Sequence, residues 1–168
     1  MSLSPPLPLT ARHDLSGFAC GHPPLDEWLR KNAIRNEASG ASRTYVVCED
    51  VRVLAYYCLA NGAVAINAAP GKIRRNMPDP IPVMIIGRLA VDRSQHSRGL
   101  GRGLLKDAIL RTLRAAEIAG IRAILVHAID ADAARFYRHN GFMESPADPL
   151  LLLLPLDTAR KAFIQAPT

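Results

Sequence analysis

The sequence predicts a mixed α/β fold in one domain spanning residues 1–168, with helices on the faces of its sheet. Three observations predict it. The chain has 168 residues, 49% of them hydrophobic, enough for one real core and too few for two. Its second half alternates strand, glycine turn, helix, strand, helix, strand, the rhythm of a sheet whose strands are joined across helices. Its first half carries two β-rich runs separated by a short polar turn, the pattern of a hairpin.

The elements follow in order. Residues 1–9 are Pro-rich and expected to be loose. Residues 24–38 place Leu25, Trp28, Leu29 and Ile34 at helical spacing, with Pro24 near the start and Gly40 just past the end, which predicts an amphipathic helix. Residues 43–49 (RTYVVCE) and 51–60 (VRVLAYYCLA) predict the hairpin, turning at Glu49-Asp50. Residues 67–82 hold Pro70, Gly71, Pro78, Pro80 and Pro82 and read as a loop or short helix. Residues 83–91 (VMIIGRLAV) have the composition of a central strand. After the turn at Arg98-Gly99-Leu100-Gly101, residues 102–119 carry Leu104, Leu105, Ala108, Ile109, Leu113 and Ala116 on one side of a helix, with Gly120 as its stop. Residues 121–129 (IRAILVHAI) predict a strand and 132–139 a short helix ended by Asn140-Gly141. A last strand region begins at Phe142-Met143 and resumes at Leu150.

Composition excludes several classes. The apolar run from Pro149 to Leu156 (PLLLLLPL) is far short of the roughly 20 residues that cross a bilayer, and Pro interrupts it, so it reads as a buried strand. The N-terminus lacks the basic and apolar regions of a secretion signal, and a cytoplasmic location is expected, with no membrane partner. Cys20, Cys48 and Cys58 cannot all pair and match no zinc spacing, so three reduced, buried thiols and no metal site are expected. A net charge of +6, from 21 Lys plus Arg against 15 Asp plus Glu, calls for anionic partners. Only Lys31, Lys72, Lys106 and Lys161 are lysines; the rest are arginines, which grip phosphate bidentately.

Chemistry first shows at the turn after the central strand. Glycines at 99, 101 and 103 leading into a helix expose backbone N–H groups at the positive end of its dipole, a cradle for a pyrophosphate. An ordinary glycine-containing turn would read the same way. No Gly-Lys-Ser/Thr follows, so it is not a Walker A loop, and the third spaced glycine of a dinucleotide fingerprint is missing.

Three segments in this order, Arg88-Leu89-Ala90-Val91-Asp92, Arg98-Gly99-Leu100-Gly101 with Leu104-Leu105, and Phe136-Tyr137-Arg138-His139-Asn140-Gly141-Phe142, resemble the acetyl-coenzyme A core of the GNAT acetyltransferase superfamily. The resemblance implies a mixed, mostly antiparallel, twisted sheet with splayed central strands. It implies that acetyl-CoA is the cosubstrate. Its pyrophosphate would lie on the turn of His96, Ser97, Arg98, Gly99, Leu100, Gly101 and Arg102, and its pantetheine arm along Leu89, Ala90 and Val91, with Asp132, Ala133 and Phe136 completing the site. Tyr137 would be the catalytic acid that protonates the departing thiolate, a task suited to a phenol that is protonated at pH 7. The family turn has Gln or Arg at its first position, whereas this chain has His96 there and Gln95 one residue early. Asp92 reads as a strand-end residue, and His127 and His139 as structural.

A wider set, Phe18-Ala19-Cys20-Gly21, Leu25-Asp26 with Trp28-Leu29, Ser42-Arg43-Thr44, the run MPDPIPV at 77–83, Gly87 to Asp92 and Val126-His127-Ala128, is similar to the toxin acetyltransferases of TacT and AtaT type. That similarity implies acetyl transfer to the α-amino group of an aminoacyl-tRNA, blocked translation, a ribbon-helix-helix antitoxin encoded nearby, and a homodimer. A lysine amine of pKa about 10.4 is neutral in about one molecule in 2,500 at pH 7, and an α-amino group of pKa about 7.7 in about one in six, so such a substrate needs no strong base. Arg43, Lys72, Arg74, Arg75 and Arg88 are the candidates to bind tRNA. Two other readings remain: a GNAT enzyme acting on a small-molecule amine or a protein N-terminus, and a non-catalytic module that keeps the CoA cradle.

Overall fold

The structure, a computed structural model, describes residues 2–164. Its sheet has seven strands in the order β1-β2-β3-β4-β5-β7-β6, namely β1 (Leu7–Pro8), β2 (Arg43–Glu49), β3 (Arg52–Val64), β4 (Ile81–Val91), β5 (Ala123–His127), β6 (Met143–Ser145) and β7 (Asp148–Pro155). The helices are α1 (Pro23–Ser39), α2 (Gly71–Arg74), α3 (Leu100–Ala115), α4 (Ala131–His139) and α5 (Leu156–Ile164). The mixed, mostly antiparallel sheet flanked by helices is the one expected. The chain divides into two compact units, Met1–Ala60 with Gly87–Ala108, and Asn61–Ile86 with Ile109–Thr168.

The first unit is built on the predicted hairpin. β2 and β3 pair antiparallel from Arg43↔Leu59 to Glu49↔Arg52, with a bulge at Val47/Cys48 and Asp50 in the left-handed region at φ 54°. The proline-rich start is not loose. Leu7 and Pro8 pair with Val46 and Tyr45, Ser4 N–H reaches Cys48 O at 2.8 Å, and Leu9 is buried. Proline lacks a donor, which confines it to a sheet edge, and β1 is that edge. Helix α1 starts at Pro23-Pro24, where the missing N–H groups cost nothing, and stops at Gly40, whose φ of 81° is left-handed. Its Leu29 and Ala33 pack with Val46, Cys48, Val53, Tyr56 and Ala90 in one core that also takes in Leu9, Phe18 and Cys20.

In the second unit β4 and β5 run parallel, Val83↔Ala123 through Ile86↔Val126, as a strand–helix–strand crossover requires. β5 then ends at His127, and Ala128 N–H turns to Leu150 O on β7, while β4 runs on to Val91. β7 is the leucine run; Leu152, Leu153 and Leu154 are all buried, and a strand covered on both faces needs no alternation. Each such leucine contributes about 1.5–3 kcal/mol of burial. Val64, Ile73, Ile81, Val83, Ala123, Leu125 and Leu153 form the core of this unit.

Two boundaries differ from expectation. Helix α3 stops at Ala115, because Glu117 N–H and Ile118 N–H bond three residues back, to Arg114 and Ala115, tightening the last turn four residues before Gly120. Helix α5 was not foreseen at all, since Leu156 continues the apolar run while the backbone changes from strand to helix directly after Pro155. Among the described residues, no helix is long and apolar enough to cross a membrane. All three cysteines are buried and free, as expected.

Candidate active site

The anion cradle is assembled within the first unit, at the end of β4. Asp92 closes the strand. It is 5% exposed, its Oδ1 accepts Ala19 N–H at 2.9 Å, and its Oδ2 accepts Ser94 N–H at 3.0 Å and the Ser94 hydroxyl at 2.7 Å. Burial alone would push the carboxyl up, but these three hydrogen bonds outweigh it and hold the group below the usual carboxylate range. Both its oxygens are engaged by backbone and neighbour, which makes Asp92 the peg of the turn, as its strand-end position suggested.

The turn then reverses its hand twice. Ser97 has φ 67° and Gly99 φ 78°, while Arg98 between them stays on the ordinary side. Alternating left- and right-handed residues point successive N–H groups into one concavity, a nest for an anion. Gly99 is also the residue on which α3 starts, since its carbonyl takes the first helical bond from Gly103 N–H at 3.1 Å. The N–H groups of Leu100, Gly101 and Arg102 therefore have no carbonyl inside the helix, and the helix dipole adds positive potential there. Arg98 and Arg102 are exposed, with no ion-pair partner among the described residues. His96 behaves differently from a phosphate ligand, because its Nε2–H donates to Val91 O at 2.8 Å and folds the ring back on the strand end. Leu89, Ala90 and Val91 lie on β4, Ala90 buried against the α1 core.

Tyr137 lies in the second unit, on the last turn of α4. The spacing of Tyr137, Gly141 and Phe142 has a local cause. Gly141 is left-handed at φ 96°, Phe142 N–H bonds Tyr137 O at 3.1 Å, and Gly141 N–H bonds Arg138 O at 3.1 Å, which together form a Schellman stop. This stop folds Phe142 back onto Tyr137, ring centroids 5.4 Å apart, and Phe136 packs edge-on at 5.2 Å. Tyr137 is left 7% exposed, its ring held on two sides. At the other end of α4, Asp130 caps the helix by accepting Ala133 N–H at 2.8 Å, and Asp132 is paired with Arg135. The amide of Ala133 is thus engaged by its own helix cap.

The candidate tRNA-binding residues fall in both units, Arg43 and Arg88 in the first and Lys72, Arg74 and Arg75 in the second. Lys72, Arg74 and Arg75 are exposed at α2 without ion pairs among the described residues, and α2 is tied down by Arg122, whose Nε and Nη2 bond Ile73 O at 3.0 Å and Lys72 O at 3.2 Å. Arg43 is held by Glu37, at 3.0 Å, and Arg88 lies over the ring of Trp28. His127 faces Asp148 at 3.5 Å. Sequence reasoning placed Asp92 as a structural strand-end or turn residue but missed its specific contacts to Ala19 and Ser94, the second of which Asp-x-Ser at 92–94 could have signalled as an Asx turn. It also missed the hydrogen bond from the buried Tyr57 hydroxyl to Asp107 on α3, a contact between residues far apart in the chain.

Known proteins resemble this chain in sequence and fold. The family model described as "Acetyltransferase (GNAT) domain" matches residues 40–144. A Mycobacterium tuberculosis protein named "tRNA-acetylating toxin" is 50% identical over 157 residues, covering 94% of this chain and 95% of its own. The toxin AtaT complexed with acetyl-methionyl-tRNAfMet superposes with a TM-score of 0.89 at 29% identity, covering 96% of this chain and 99% of that one. A mutant of AtaT bound to the C-terminus of the antitoxin AtaR and acetyl-CoA gives 0.84 at 27% identity, covering 98% and 100%. With the nest after β4 and the Tyr-to-Phe stop of α4 both inside the matched segment, the chain belongs to the GNAT acetyltransferase family.

Proposed function

We propose that this chain is a toxin acetyltransferase, acting as one domain, that transfers acetyl from acetyl-CoA to the α-amino group of an aminoacyl-tRNA and so blocks translation. The observation that carries the reading is half-identity, along nearly the whole chain, to a protein named for tRNA acetylation. The cradle fits the cosubstrate: alternating φ at Ser97 and Gly99 and the unbonded amides opening α3 suit a pyrophosphate, flanked by Arg98 and Arg102. Acetyl-CoA supplies an activated acyl carbon. Backbone amides of Leu89 to Val91 orient the pantetheine arm, and the neutral amine forms its C–N bond to that carbon as the C–S bond breaks. Tyr137 gives its hydroxyl proton to the leaving sulfur, and the surplus proton of the new amide nitrogen restores the phenol through solvent. No side chain need act as strong base, because an α-amino group is already partly neutral at pH 7.

Lys72, Arg74, Arg75, Arg43 and Arg88 bind the tRNA in this reading, Lys72, Arg74 and Arg75 through the phosphate backbone. A ribbon-helix-helix antitoxin encoded nearby neutralises the enzyme, and the working form is a homodimer in the cytoplasm; the AtaT structure with its antitoxin supports an antitoxin partner. Incubating the protein with labelled acetyl-CoA and a pool of charged tRNAs tests the proposal. Label should enter the aminoacyl group of one or a few tRNAs, and transfer to free amines but to no charged tRNA would refute it.

A further inference from the structure

Arg88 is held unlike any other arginine among the described residues. Its guanidinium carbon lies 4.5 Å over the centroid of the Trp28 ring, and Trp28 stacks in turn on Tyr56, 6.1 Å between centroids and 8° from parallel. Tyr56 is fully buried and anchored by its hydroxyl to Leu25 O at 2.7 Å, so the whole stack is fixed from beneath. Arg88 and Trp28 are both half-buried. No carboxylate pairs with Arg88 among the described residues. Cys58 lies beside it, but burial raises that thiol more than the neighbouring Arg88 lowers it, so the sulfur offers no negative charge. A half-buried cation with one face covered by an aromatic ring and its charge unmet is costly to keep unless something anionic meets it.

Its place on β4 says what that anion is. Side chains alternate along a strand, so Arg88 shares its face with Ala90, which packs against α1, and Leu89 faces the other way. Arg88 to Val91 is three residues, about 10 Å of strand. In an aminoacyl-tRNA the α-amino nitrogen is eight bonds from the phosphorus of the terminal nucleotide, and at about 1.5 Å per bond this spans roughly 8–10 Å. An amine delivered to an acyl carbon beside Leu89 to Val91 therefore leaves that phosphate no more than about 10 Å from this stretch, within the span that Arg88 and its long side chain cover. We propose that Arg88, pre-oriented by Trp28, is the ligand of the terminal phosphate at the acceptor end. The proposal rests on the function proposed above and assigns Trp28 a positioning role in it. One edge of the stacked guanidinium reaches the neutral Cys58 thiol, and its fork of five N–H groups leaves donors for two oxygens of one phosphate, which lysine cannot match.

The test compares two acceptors in the full-length protein, an aminoacylated acceptor-stem minihelix, which carries the phosphate, and 3′-aminoacyl-adenosine, which does not. Arg88→Gln should lower kcat/KM for the minihelix about ten-fold or more beyond any loss on the nucleoside, the effect of one charge-assisted contact. Its log KM against log salt slope on the minihelix should fall by about 0.7, one single-strand phosphate. Arg88→Lys should restore only part of the preference, and Trp28→Leu should raise KM for the minihelix with kcat largely retained. Equal losses on both acceptors, with an unchanged salt slope in Arg88→Gln and Arg88→Lys alike, would overturn the assignment while leaving the function standing. Wild-type protein that acetylates neither acceptor, nor any charged tRNA, would sink the function and the assignment together.

Discussion

Replacing Asp92 by Asn isolates the peg on which the cofactor turn hangs. The carboxylate receives three donors on two oxygens, Ala19 N–H on Oδ1 and both Ser94 donors on Oδ2. An amide has one oxygen. The less costly orientation keeps it toward Ser94 and turns the NH2 toward Ala19 N–H, leaving a buried donor facing another donor. That loss costs about 1–3 kcal/mol, and turning the remaining charge-assisted bonds into neutral ones adds about 1 kcal/mol more. A total of about 2–4 kcal/mol corresponds to roughly 4–16 °C in Tm for a chain of this size. Because the damage falls where β4 passes into the nest, acetyl-CoA affinity should drop several-fold as well. Acid titration adds a signed check: the folded-state carboxyl titrates below its ordinary value, so its stabilisation is present at neutral pH and lost as pH falls through the depressed value. The gap between wild type and Asp92→Asn should therefore narrow below about pH 4. Scanning calorimetry at pH 7 that finds the two within a degree would refute the pegging role.

Three further substitutions test the remaining parts. Tyr137→Phe keeps the ring packed between Phe136 and Phe142, so acetyl-CoA binding measured by calorimetry should persist while turnover falls about 10²–10⁴-fold; near-normal turnover would remove Tyr137 as the acid. Gly141→Ala meets only an ordinary contact, Leu154 Cδ1 at 3.7 Å, so its cost is the left-handed φ of 96°, about 1–2 kcal/mol by urea denaturation, and a neutral result would contradict the Schellman stop. Arg74→Ala with Arg75→Ala should reduce the salt slope of tRNA binding by about 1.4–1.8 if both meet phosphates, and an unchanged slope would dismiss them.

The parts of the site made from local backbone conformation were legible before any coordinates. Gly99 after Arg98, and Gly141 before Phe142, are positions where only a left-handed turn completes the pattern, and both glycines have that φ. Helix α3 was readable from the stripe of Leu104, Leu105, Ala108 and Ile109, all buried. What failed depended on partners distant in sequence. Residues 1–9 look unstructured by composition, yet the edge of β2 offers backbone groups that Leu7 and Pro8 pair with across almost forty positions. The start of α5 was hidden because the apolar run crosses Pro155 unchanged, and composition carries no mark of where its backbone turns.

This division has a chemical reason. A pyrophosphate is the same in every acetyl-CoA, so it can be held by main-chain amides, and a main-chain conformation needs only a few adjacent residues of the right kind to specify it. An acceptor must be chosen among many amines, and in the proposed reading that choice depends on side chains brought from separate elements: Trp28 from α1, Tyr56 from β3 and Arg88 from β4 meet in one stack though they lie up to sixty positions apart. No spacing rule links those three residues, and each alone reads as a core aromatic or a surface cation. In this chain, then, the invariant half of the chemistry is carried by local sequence, and the selective half resides in packing that only the folded chain reveals.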